Sequence, residues 1–152
     1  MATAAHSEPQ APDDLVVIAR RELDNLKRAF HAGMTNDVKV DHALKATEAA
    51  LKAIIWKREK WPAWPKRERR FKFLYGHNYE GMLDRTELRI HMQGNTVRWA
   101  SWQTLVNAAL KQYRYSPVLP TDRETHAIAK AARAIDDEGV VPWLLKRYAE
   151  IK

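Results

Sequence analysis

The sequence predicts an all-α protein: a single-domain, up-and-down bundle of five or six helices. Three observations lead there. Apolar residues recur every three or four positions along most of the chain, which is the helical period. No segment alternates apolar and polar residues over a strand's length. Glycine is scarce, at 5 of 152 residues, and proline, at 7, clusters where helices should end.

The elements follow in order. Residues 1–12 read as a short disordered tail rich in Ala and Pro, and residues 13–152 as the bundle. The first helix should begin at Asp13 or Asp14, whose carboxylates suit a helix N-terminus. Val16, Ala19, Leu23, Leu26 and Phe30 form its stripe, and Gly33 stops it. A second helix should open at Asn36 or Asp37 and end before Pro62. Val40, Leu44, Thr47, Leu51, Ile54 and Ile55 line one face. Its five alanines from Ala43 to Ala53 favour helix and let neighbours approach, so it should be the central helix.

Asn78 should cap a third helix that ends at Gln93-Gly94-Asn95, with Tyr79, Met82 and Leu83 inward. A fourth opens at Asn95 or Thr96, with Trp99, Trp102, Val106, Ala109, Leu110 and Tyr113 on one face. The run SPVLP, residues 116–120, breaks the chain. Thr121 and Glu124 match the capping box that starts a fifth helix, with Ile128, Ala131 and Ile135 inward. Gly139 and Pro142 mark a kink or a new start, after which Trp143, Leu144, Arg147 and Tyr148 close the chain.

Composition excludes several functions. With no cysteine, thiol catalysis, zinc ribbons and iron–sulfur clusters are out. The six histidines are scattered and form no HExxH, so no metal is expected. There is no GxGxxG, no GxxxxGK and no GxSxG, so neither a nucleotide cradle nor a hydrolase elbow is expected, and no cofactor. No apolar run approaches the ~20 residues of a membrane span. The N-terminus lacks a basic segment followed by an apolar one, so a cytoplasmic location is expected. Asp136, Asp137 and Glu138 read as a solvated helix end.

The formal net charge is +7, a balance that favours polyanion partners. Most of the excess lies in residues 57–72, a stretch rich in Trp and Pro. Eight cations stand there (Lys57, Arg58, Lys60, Lys66, Arg67, Arg69, Arg70 and Lys72) against Glu59 and Glu68, a net of +6. Cations neutralise phosphates and aromatic faces stack on bases, so Trp61 and Trp64 among these charges fit RNA or another single-stranded nucleic acid. A blander reading makes the two tryptophans a lid on the bundle and leaves the charges to keep a loop in water.

Three segments carry a resemblance: HALKATEAALKAIIWKR (42–58), GHNYEGML (76–83) and KQYRYSP (111–117). Together they resemble the HEPN superfamily of small helical domains, over residues 13–150. That resemblance implies a helical bundle, frequently a homodimer. Many members are metal-independent ribonucleases, including toxins, in which an arginine and a histidine with four to six residues between them do acid–base work and hold phosphate. Here Arg70 and His77 have that spacing beside the basic stretch, as do Arg85 and His91. The family's pair usually opens the last helix, where this chain has only Arg114, Arg123 and His126 at other spacings. The reading is therefore a non-catalytic HEPN-like module that binds nucleic acid or a nucleotide-associated partner. Arg70 and His77 are the catalytic candidates of the ribonuclease alternative. A protein-binding scaffold whose basic loop meets an acidic partner is the third. Two exposed tryptophans would also favour self-association.

Overall fold

In the computed structural model, residues 8–133 and 139–152 are described. Among them there are helices and no strands. Seven α-helices run in order: α1 Pro12–His31, α2 Asn36–Glu59, α3 Tyr79–Thr86, α4 Arg89–Gln93, α5 Thr96–Lys111, α6 Asp122–Arg133 and α7 Val140–Glu150. Two 3-10 segments, Arg69–Leu74 and Tyr113–Tyr115, complete them.

The helix α1 starts on Pro12, and residues 10 and 11 are tied to it. The Asp14 carboxylate accepts from the Gln10 and Ala11 amides at 2.7 and 3.1 Å. Gly33 follows the helix end at φ +63°, the left-handed conformation that glycine adopts without a Cβ penalty.

The central helix is α2. It packs against α1, α3, α5, α6 and α7. Ala43, Ala46, Ala49, Ala50 and Ala53 are all buried, alternating with Leu51, Ile54, Ile55 and Trp56. Small residues on several faces are what allow helices to pack around it. Leu44, predicted on the stripe, is half-buried.

Two predicted elements differ from the structure. The third helix divides into α3 and α4, because Glu87 turns left-handed at φ +61°. The break is held by buried Thr86, whose hydroxyl donates to the Leu83 carbonyl at 2.6 Å and accepts from the Leu88 amide at 3.2 Å. The chain then restarts at Gly139, so α7 is a helix of its own. The new start at Gly139 is one of the two alternatives read there, and the unexpected break at Glu87 brings the α-helices among the described residues to seven. Leu110 is 73% exposed, and the buried stripe of α5 runs through Trp102, Leu105 and Ala108 instead.

The capping box of α6 forms. The Glu124 amide donates to the Thr121 hydroxyl at 3.1 Å, and the Thr121 amide to the Glu124 carboxylate at 3.2 Å. Ile128 and Ala131 are buried as predicted, while Ile135, Asp136, Asp137 and Glu138 lie outside the described residues. One hydrophobic core joins all the helices, with Trp56 and Trp102 its largest fully buried side chains. Among the described residues no helix is long and apolar enough to cross a membrane.

Candidate functional site

The basic stretch begins inside α2. Lys60, at φ +55°, caps the helix with its amide bonded to the Trp56 carbonyl. This left-handed residue turns the chain back onto the helix end. The Trp56 indole N–H then donates to the Trp61 carbonyl at 2.9 Å. Trp64 lies 5.3 Å from Trp56 and 6.2 Å from Trp61, centroid to centroid, and Trp61 meets Phe71 edge-on at 5.4 Å. Tilted and edge-on pairs at these separations are the attractive ones for aromatic quadrupoles. Pro65 is buried, and its carbonyl accepts from the Tyr75 hydroxyl at 2.8 Å.

Trp61 and Trp64 are therefore half-buried members of an aromatic cluster, and the segment lies folded against α2. The expectation that they stand out as base-stacking platforms is corrected on this point. The lid reading describes them better. Trp56, whose buried ring anchors the cluster, is the residue that sequence reasoning had not connected to them.

The cations divide into two groups. Lys57 belongs to α2, where its ammonium donates to the Tyr148 carbonyl at 3.2 Å and sits 4.3 Å from that tyrosine ring. Arg58, also on α2, pairs with Glu87. Arg70 pairs with Glu68 at 3.0 Å and lies over Phe71. Glu59 is taken by Arg85 at 2.7 Å. The other five, Lys60, Lys66, Arg67, Arg69 and Lys72, are exposed and have no acidic partner among the described residues. Arg67 is held over the Tyr75 ring at 5.0 Å. Of the eight cations predicted as contacts, five, starting at Lys60, are thus open, while Arg58 and Arg70 are exposed in ion pairs and Lys57 is held on Tyr148.

Arg70 and His77 engage different partners, and no contact joins them. His77 follows Gly76 in the left-handed region, φ +59° after φ +79°. Its Nδ1 lies 3.2 Å from both Glu48 carboxylate oxygens. Arg85 and His91 are likewise apart: Arg85 holds Glu59, and His91 is exposed on α4. Among the described residues no group of three or more His, Asp or Glu is placed to hold a metal.

A cavity of about 540 Å³ opens beside His77. The N-terminal half of α2 forms its floor. The Gly76–Tyr79 turn forms one wall, and the end of α5 with the Tyr113–Tyr115 segment forms the other. Residues 37–48, 76–79 and 109–115 meet in it, although they are far apart in the sequence. Tyr79 is buried in its wall, donating to the Leu44 carbonyl at 2.7 Å. Burial, then the nearby Glu48 and Asp41 carboxylates, push the Tyr79 hydroxyl well above its ordinary pKa. Asp37, Asp41 and Glu48, spaced four and seven apart on α2, all line the cavity. That acidic stripe was legible in the sequence and was passed over.

Comparisons with family models, with curated proteins and with solved structures find no match to this chain.

Proposed function

We propose that this chain is a non-catalytic, HEPN-like helical module that binds the phosphate backbone of nucleic acid through residues 60–72. The carrying observation is the set of five exposed cations that have no acidic partner among the described residues, on a segment pinned by the Trp56, Trp64, Trp61 and Phe71 rings. Pinning lowers the ordering cost of binding, and phosphate contacts carry no sequence information. With the indoles packed inward, recognition rests on charge and not on stacking. The homodimer expected at the outset loses its tryptophan ground for the same reason and rests on the family resemblance alone.

The test is an electrophoretic shift with single-stranded RNA at two salt concentrations. Five phosphate contacts imply a log–log slope of about −3.5, so affinity should fall about a hundredfold between about 50 and about 200 mM salt. Lys66→Glu with Arg67→Glu should flatten the slope to about −2. Unchanged binding in that double variant removes the segment from the reading. RNA cleavage in the presence of a chelator, lost in His77→Ala, would establish the ribonuclease alternative instead.

A further inference from the structure

We infer that the cavity beside His77 is a binding site for a small organic cation, one carrying an ammonium or guanidinium group on an apolar stem. This inference stands apart from the nucleic-acid reading and uses different residues, none of them in 60–72.

The size comes first. About 540 Å³ lies within the range of pockets that hold small molecules and far exceeds what a bare ion needs. The walls come next. Val38, Val40, Leu44 and Ala109 supply apolar surface, and Tyr79, Tyr113 and Tyr115 bring three aromatic rings to the same space. Tyr115 is 79% exposed, a large ring standing at the rim with most of its surface uncovered.

The sign of the ligand follows from charge. Among the described side chains that line the cavity, Asp37, Asp41 and Glu48 stand against one ammonium, that of Lys45. Lys45 is spent on Asp41 at 2.8 Å, and Glu48 holds Lys52 and His77. Asp37 has no partner among the described residues. In a protein with a net charge of +7 the open charge of this recess is thus negative, the Asp37 carboxylate. An open carboxylate beside a tyrosine face attracts a cation twice over, by direct charge and through the ring quadrupole; Lys111 already lies 5.8 Å from the Tyr113 ring, so Tyr115 is the open face. An anion would meet repulsion there, and a neutral apolar ligand would leave Asp37 desolvated without compensation.

The probe is agmatine, a four-carbon chain with a guanidinium at one end and an ammonium at the other. Titration calorimetry on the full chain should give saturable binding. Butylurea, similar in shape to the guanidinium end but neutral, should not bind. Asp37→Asn with Asp41→Asn should weaken agmatine about tenfold, the loss of close charge contacts, with thermal unfolding confirming that the variant folds. Lys66→Glu with Arg67→Glu, outside the cavity lining, should leave it within about twofold. Absence of saturable binding, equal binding of butylurea, or an unchanged affinity in the Asp37 and Asp41 variant would each overturn the assignment.

Discussion

Replacing Trp64 by alanine separates packing from base stacking. The ring is half-buried, with Trp56 at 5.3 Å and Trp61 at 6.2 Å. Fully buried Trp→Ala changes cost about 3–5 kcal/mol. Half of that area, with the lost ring pairs added, gives about 2–3 kcal/mol. For a chain of 152 residues this lowers the melting temperature by about 5–10 °C. The same protein, assayed for single-stranded RNA well below its transition, should keep its affinity within about twofold, because the five cations remain. A stacking tryptophan would behave in the opposite way. Its loss would remove about 1–3 kcal/mol of binding per base, roughly 5- to 150-fold, with little change in melting. Unchanged melting with weakened RNA binding would refute the cluster as the reason these tryptophans are present.

Further expectations concern stability. Asn78→Ala removes the side chain that caps α3, where Oδ1 accepts from the Gly81 amide at 3.0 Å; the cost should be about 1 kcal/mol, read as a lowered urea midpoint at constant slope. Gly81→Ala should act on the same cap, since its Cβ would come within 2.6 Å of the Asn78 amide nitrogen. Gly76→Ala meets no steric obstacle but must adopt φ +79°, which costs about 1–2 kcal/mol for a residue with a Cβ. Glu124 is held at a pKa of about 2 by the Tyr113 hydroxyl, then by Lys111 and the Thr121 backbone. Because its folded pKa lies below the ordinary 4.5, its contribution is complete above pH 4.5 and is lost as pH falls toward about 2. Glu124→Gln should therefore flatten the acid limb of an unfolding curve over that window.

What the sequence made legible were the features governed by neighbours along the chain. The capping box at Thr121 and Glu124, the stop at Gly33 and the alanine-rich α2 all rest on residues a few positions apart. Glu87 was not legible, because a left-handed residue other than glycine carries no compositional mark. The fate of Trp61 and Trp64 depended on Trp56, whose ring faces them only because Lys60 turns the chain left-handed. The charge of residues 57–72 was counted correctly, but its division between paired and open cations depended on Glu87, set by the fold, as well as on nearby Glu68. For the cavity, Asp37, Asp41 and Glu48 were readable as one face of a helix. The opposing walls arrive from residues 76–79 and 109–115, and only the tertiary arrangement brings them there.

The central helix also gives the molecule a direction. Its 24 residues make a rod about 36 Å long. Its first half is balanced, Asp37 and Asp41 against Lys39 and Lys45, while the open lysines and arginines leave from its last turn. The open positive charge of residues 60–72 therefore sits at one end of the rod, where its field reaches about a Debye length, ~8 Å at physiological salt, into the solvent.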